Sequence, residues 1–447
     1  MASTMDTICA ISTPIGKGGI SVVRMSGDEV LNIALSFFAC KHEGEIEPRH
    51  MYLGNFKLGD CEEKCMMVYF KAPYSFTGED IVEIQCHGGI YVTNEILDAL
   101  IRGGARLAEP GEFTKRAFLN GKMTLDESEG VIDVINAQNK NQLRASNMLM
   151  SGKLNEKLSH IMDSLDEIIA KIEVAMDYPE EDIEYVTREE VWNVLDKQEK
   201  ELKQLLDTYV AGRLIQNGCK IAIVGKTNAG KSSLLNVMLG YDKAIVTDIQ
   251  GTTRDCIEGS YIYRDMTFNL VDTAGLRDTD DYVESIGIQR AIDQINECDL
   301  ILYVVDGGDS GGIDNDIIAR LNDKKYILVV NKCDNDVCVK YDNVACDTIC
   351  VSAKNGTNID LLKDKIYNAL ISDDVINSDI IITNIRHKNA IVDALKYIEI
   401  AKQNIDYNMD LLSSDIRNIW YSIGSITGRA DNENVINLIF TKFCVGK

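Results

Sequence analysis

The stretch CKIAIVGKTNAGKSSLLN, residues 219–236, constrains the fold of this chain more than any other. A short apolar run leads into Gly225, and GKTNAGKS at 225–232 fits G-x-x-x-x-G-K-[ST] before a helix-forming segment. A strand, a glycine-rich loop and a helix in that order set backbone N–H groups and a helix N-terminus around phosphate oxygens. Lys231 then supplies charge to the β- and γ-phosphates, and the Ser232 hydroxyl can ligate Mg²⁺. Asn228, Ala229, Gly230 and Ser233 complete the loop and the first helical turn.

Four further pieces follow in order. GTTRD at 251–255 offers Thr253 as a second Mg²⁺ ligand. DTAG at 272–275 ends an apolar run: Asp272 can hold Mg²⁺ through water and the Gly275 amide can meet the γ-phosphate, with Thr273 and Ala274 between them. NKCD at 331–334 brings Asn331, Lys332 and Asp334 to a second strand end. The Asp334 carboxylate can accept from guanine N1–H and the exocyclic amine, a pair of donors that adenine does not offer. SAK at 352–354 sets Ser352, the Ala353 amide and Lys354 near the base, where that amide can donate to guanine O6. Five pieces in one order specify a site for GTP or GDP.

Leu276 follows DTAG where a Ras-type switch carries a water-orienting glutamine. Two readings compete: a nucleotide-locked domain, or a hydrolase that uses other groups. Asn228 puts a side-chain carbonyl beside the phosphates, and AIVTDIQGTTRD brings Thr247, Asp248, Ile249, Gln250, Gly251 and Thr252 toward the nucleotide. An asparagine there can simply brace the loop. With the long following loop, the second reading is a bound K⁺, held by Asn228 and the carbonyls of Thr247, Ile249 and Thr252. Such an ion supplies positive charge where it develops in the transition state. Glu284 is then the candidate for orienting the attacking water.

At 447 residues the chain is too long for one ordinary core. Residues 1–121 mix β-rich runs with helix-like stretches around 28–39 and 91–102, which predicts an α+β domain. Residues 122–216 carry apolar positions at three- and four-residue spacing, interrupted at Pro179, and predict long antiparallel helices. Residues 217–377 alternate apolar strands with helices, as a mostly parallel sheet requires. Residues 378–447 return to the helical pattern. The fold class is multidomain α/β and α, with a Ras-like P-loop G domain inserted into a discontinuous helical domain.

A formal net charge of −24 disfavours broad adhesion to nucleic acid or anionic lipid, though not a local basic patch. Thirteen cysteines without a framework point to reduced thiols rather than disulfides. No apolar run is long enough to span a bilayer and the first residues do not read as a signal peptide, so a cytoplasmic location is expected.

The segments TPIGKGGISVVRMSG, SFTGEDIVEIQCHGG and EPGEFTKRAFLNGKMTLDESE, the GTPase stretches above, and the ending FCVGK together resemble the MnmE (TrmE) family of tRNA modification GTPases from end to end. Val445 departs conservatively from that family's Phe-Cys-Ile-Gly-Lys ending. The resemblance implies an N-terminal domain similar to tetrahydrofolate-binding folds that forms a homodimer. It places Arg24, Glu83, Lys122 and Lys447 on folate-contacting positions for a 5-formyl- or methylene-tetrahydrofolate donor, and Cys444 beside them as a candidate catalytic thiol. It also implies an FAD-dependent partner, MnmG (GidA), with which an aminomethyl or carboxymethylaminomethyl group is installed at carbon 5 of the wobble uridine. Taken without the family, Arg24, Glu83 and Lys122 read as ordinary surface charges, although Glu83 between Val82 and Ile84 is set to face away from the core. Two other classes stay open at this level: an RNA-binding ribosome-assembly GTPase without modification chemistry, and a nucleotide-locked scaffold.

Overall fold

The computed structural model describes residues 6–42, 44–177, 187–226, 228–240, 259–272, 297–308, 324–334, 347–371, 378–406, 409–430, 433–443 and 445–446. The chain forms two compact units. One comprises Met1–Ile132, Leu149–Val194 and Lys396–Lys447; the other comprises Asp133–Met148 and Leu195–Leu395.

The first unit is built on a seven-stranded sheet. In chain order its strands are β1 (Ile8–Ile11), β2 (Ser21–Ser26), β3 (Phe38–Cys40), β4 (Met51–Leu58), β5 (Cys61–Phe70), β6 (Ile81–Cys86) and β7 (Arg106–Leu107). They lie in the order β3-β4-β5-β6-β2-β1-β7, and only β7 runs parallel to its neighbour. Alternation sets the two faces. Val23 and Met25 of β2 and Val82 and Ile84 of β6 join one core with Ile96 and Leu100 of helix α2 (Ile90–Arg102) and Val30 and Ala34 of α1 (Val30–Phe37). Arg24 and Glu83 fall between those residues, directly opposite each other on paired strands. The helix read over 28–39 stops at Phe37, because Phe38–Cys40 pair with β4 instead and Phe38 is buried there.

Helices α3 (Glu112–Leu119), α4 (Leu125–Asn136), α5 (Lys140–Met150), α6 (Lys153–Asp177), α7 (Arg188–Asp207) and α8 (Tyr209–Asn217) follow. Along α6 the buried positions run Leu154, Leu158, Ile161, Leu165, Ile168 and Ile172, one stripe at helical spacing. The stripe packs against α12 (Met409–Thr427), whose Leu412, Ile416, Ile419, Ile423 and Ile426 are equally enclosed. Arg417 pairs with Glu173, and Arg429 donates to Ser159 Oγ at 2.9 Å. Rising numbers on one helix meet falling numbers on the other, so the pair is antiparallel, and it joins a helix of the 122–216 stretch to one of the 378–447 stretch. Beyond α13 (Glu433–Phe440) the chain returns to β1, where Ser12 Oγ donates to Gly446 O at 3.1 Å.

The second unit holds β8 (Cys219–Val224), α9 (Lys231–Gly240), β9 (Gly259–Tyr263), β10 (Met266–Asp272), β11 (Leu300–Asp306), β12 (Tyr326–Asn331), β13 (Asp347–Cys350), α10 (Ile359–Leu370) and α11 (Ile385–Gln403), the last crossing into the first unit. The sheet order is β13-β12-β11-β8-β10-β9. Every neighbouring pair is parallel except β9 with β10. Ile221, Ala222 and Ile223 are fully buried, which is why β8 reads as an unbroken apolar run rather than an alternating one. Each of the two isoleucines contributes roughly 1.5–3 kcal/mol when taken fully from water.

Candidate functional site

The carboxyl ends of β8, β10, β12 and β13 lead into the sequence-predicted nucleotide residues, the edge at which ligands bind in open α/β sheets. Gly225 leaves β8 so close to β11 that a Cβ there would stand 2.1 Å from Val304 O, so only glycine passes. Asn228 takes a left-handed conformation (φ 64°) with its side chain exposed. Asparagine tolerates that conformation, and an exposed amide beside the loop is compatible with either of its two sequence readings. Gly230 is also left-handed (φ 91°), and a Cβ there would sit 2.2 Å from Asn331 Nδ2. Lys231 opens α9 and its Nζ donates to Gly225 O at 2.8 Å and Lys226 O at 2.9 Å, folding the ammonium over the loop. Ser232 and Ser233 follow, exposed, in the first turn.

Asn331 joins the two sides of the site. It is buried at the end of β12, and its Nδ2 donates to Ala229 O in the phosphate loop at 2.9 Å. Its Oδ1 accepts from Ala353 N at 3.1 Å. The Ala353 amide read as a guanine O6 donor is thus already engaged by Asn331, and a base oxygen would have to share or take over that hydrogen. Asp334 is exposed, and its Oδ1 accepts from the buried Ser352 Oγ at 2.7 Å. That hydrogen bond, with a backbone donor, holds the carboxyl below its ordinary range and keeps it an acceptor near neutral pH. Lys332, left-handed at φ 63°, donates from Nζ to Asp306 Oδ2 at 2.6 Å. Asp306 was not singled out from sequence; its position at the end of the apolar β11, level with Asn331 on β12, was the signal that could have found it. Lys354 lies exposed beside Ala353.

Other residues expected at the sites lie outside the described ones: Thr247, Asp248, Ile249, Gln250, Gly251, Thr252, Thr253, Thr273, Ala274, Gly275, Leu276 and Glu284, with Cys444 and Lys447. Asp272 is described only as the end of β10, where its backbone is level with Ile223.

A second group lies in the first unit. Arg24 Nε and Nη2 both donate to Glu83 Oε1, at 2.8 and 2.7 Å. The two side chains are only 18% and 17% exposed, unlike ordinary surface charges. The Arg24 guanidinium also lies 5.7 Å from the Phe76 ring centre and 5.9 Å from that of Phe113. The structure therefore makes one ion pair of two residues read as separate folate contacts, leaving Glu83 Oε2 outside it. Lys122 is exposed, with Nζ donating to Pro73 O at 3.0 Å.

Residues 7–122 match the family model described as GTP-binding protein TrmE N-terminus, and residues 125–444 match the MnmE helical domain. The tRNA modification GTPase MnmE of Acetivibrio thermocellus is 41% identical over 459 residues, covering 99% of this chain and 99% of that protein. The chain belongs to the MnmE family. The MnmE proteins of Clostridioides difficile and Caldicellulosiruptor saccharolyticus, also called tRNA modification GTPases, are 40% and 38% identical, again over 99% of both chains. The fold class read from the sequence holds for this MnmE family member: an N-terminal TrmE-type domain, a helical domain, and a P-loop G domain with a mostly parallel sheet. Among the described residues no helix is long and apolar enough to cross a membrane.

Proposed function

We propose that this chain is a GTP hydrolase of tRNA modification, acting with an FAD-dependent partner of the MnmG type on carbon 5 of the wobble uridine. A folate one-carbon donor and a homodimer built through the N-terminal domain belong to the same reading, as does the four-part division at 1–121, 122–216, 217–377 and 378–447. The observation that carries its nucleotide half is the Asn331 bridge, which fastens the phosphate loop to the segment containing Ala353. Lys231 and the loop amides bind the phosphates, while Asp334, fixed by Ser352, reads the guanine edge. Ser232 and Thr253 would hold Mg²⁺, with Asp272 reaching it through water; Asn228 and the Thr247, Ile249 and Thr252 carbonyls would hold K⁺. Held by those residues, Mg²⁺ and K⁺ would supply the positive charge that phosphoryl transfer needs. Arg24, Glu83, Lys122 and Lys447 would hold the folate, with Cys444 beside them.

GTP turnover in KCl is expected to exceed that in NaCl by about tenfold or more, the charge otherwise given by an arginine finger being supplied by the ion. Phosphate release at matched ionic strength measures it, and equal rates in the two salts would remove K⁺ from the mechanism. Absence of release in either salt would leave Leu276 the mark of a locked nucleotide. Glu284→Ala is expected to lower turnover by about tenfold or more with GTP affinity kept, since orienting water acts on the chemical step alone. Single-turnover assays beside equilibrium titration separate the two quantities, and an unchanged rate would take Glu284 out of the site.

A further inference from the structure

A net charge of −24 leaves open where an RNA could dock, and one turn of the first unit departs from that acidic surface. Lys71–Tyr74 follows β5 and closes with Tyr74 N donating to Lys71 O at 3.0 Å. Its four residues are exposed, and Tyr74 stands 72% exposed, a large aromatic ring at the tip of a turn. Arg49 flanks one side: Nη2 donates to Tyr74 O at 3.1 Å and the guanidinium lies 5.9 Å from the ring centre. Lys122 flanks the turn through Pro73 O. Arg49 holds a left-handed backbone (φ 62°), a conformation that costs an L-residue energy and is kept here by its amide donating to Tyr69 O at 2.6 Å.

Arg49, Lys71 and Lys122 are all exposed, and none has a carboxylate partner among the described residues. Asp80, beside the turn, is already engaged, accepting from Tyr69 Oη at 2.6 Å and Ala72 N at 2.7 Å, while Glu47, two residues before Arg49, is exposed. Three cations unpaired with carboxylates around an exposed ring have the composition of a surface for single-stranded nucleic acid, where a base stacks on the ring and the cations meet the backbone phosphates. Inside a duplex each base face is already stacked on its neighbours, and only the terminal pairs leave a face free for such a ring.

We propose that Tyr74 is a stacking platform for an unpaired base of an RNA loop, with Arg49, Lys71 and Lys122 engaging the flanking phosphates. The inference rests on the tRNA reading above and gives it a docking surface. Because Lys122 is also in the candidate folate set, the stacked base would lie beside the residues assigned to the one-carbon donor.

The test is fluorescence anisotropy of the full chain with a labelled anticodon stem-loop, compared with a blunt duplex of the same stem sequence. Tyr74→Ala is expected to weaken stem-loop binding roughly ten- to hundredfold, while Tyr74→Phe keeps it. Arg49→Gln is expected to lower the slope of log affinity against log salt by about 0.7 to 1. GTP turnover of the free chain should not change in any of the three. Stem-loop binding that Tyr74→Ala leaves intact, or that Tyr74→Phe loses equally, overturns the platform but not the tRNA reading. Wild-type chain that binds the stem-loop no better than the blunt duplex, or binds neither, also overturns the platform; the tRNA reading falls only if loss of this chain leaves the wobble uridine modified as before.

Discussion

Asp334→Asn is expected to weaken GTP binding roughly 10²- to 10⁴-fold and to shift preference toward xanthosine triphosphate. Guanine offers two N–H donors, on N1 and the exocyclic amine, and an ionised carboxylate accepts both. Asparagine keeps one acceptor and sets a donor against the other donor. Hydrogen bonds to a charged group contribute about 1.5–3 kcal/mol each, and every 1.4 kcal/mol is about tenfold in affinity. Xanthine carries a carbonyl in place of the exocyclic amine, so the new amide donor meets an acceptor. The structure favours a clean outcome, because Ser352 Oγ fixes Asp334 Oδ1 at 2.7 Å, and a hydroxyl serves an amide oxygen as readily as a carboxylate. Competition between GTP and xanthosine triphosphate in equilibrium titrations measures the switch. An unaltered preference would separate Asp334 from base recognition.

Arg116→Ala is expected to destabilise the first unit by about 3–5 kcal/mol, the cost of removing one partner from a buried charge network. Arg116 is 8% exposed and donates to Asp6 O at 2.9 Å, Asp6 Oδ1 at 2.7 Å, Glu79 Oε2 at 3.1 Å and Glu112 Oε1 at 3.0 Å. Arg106 adds a second cation to Asp6 and Glu112, at 2.7 Å from each. Burial by itself pushes both carboxyls up, but the hydrogen bonds from the two arginines outweigh it and hold them below the ordinary range. A depressed carboxyl stabilises the fold above its unfolded value, near 4, and loses that contribution as pH falls through the folded value. Wild-type stability should therefore be level between about pH 6 and pH 5 and decline below about pH 4 as these groups protonate. In the Arg116→Ala variant the acid decline should be shallower, since less depression remains to be lost. Urea unfolding at several pH values gives both quantities, and parallel acid limbs for the two proteins would refute the network's role in acid sensitivity.

Much of the second unit was legible because its chemistry is periodic. The apolar runs at 219–224, 266–272 and 326–331 each became a parallel strand whose end leads into a motif, and the run at 300–306 became the parallel strand that ends on Asp306. The strand Gly259–Tyr263 escaped notice: its hairpin turn puts Arg264 and Asp265 at φ 47° and 57°, left-handed residues where a sequence signal would be Asn-Gly. In the first unit the alternation around Arg24 and Glu83 was readable, but their mutual pairing was not. It depends on β2 lying next to β6 across 59 residues of chain, an adjacency no local pattern encodes. Phe38–Cys40 misled for a related reason, since their pairing with β4 decided what a helical run could not. Tyr74 offered nothing in sequence beyond an aromatic in a turn; its exposure and its three unopposed cations exist only once Arg49 and Lys122 are brought to it.

The single amide of Asn331 touches Ala229 with one end and Ala353 with the other, so on the proposed reading the two extremities of a nucleotide would be gripped through one rigid plane. A shift of the base-side segment by a few tenths of an ångström must be absorbed by that plane or handed to the phosphate side. On that reading, selectivity for the ring and hold on the phosphates would be one mechanical property, and substitutions at Asn331 that tune the first would carry the second with them.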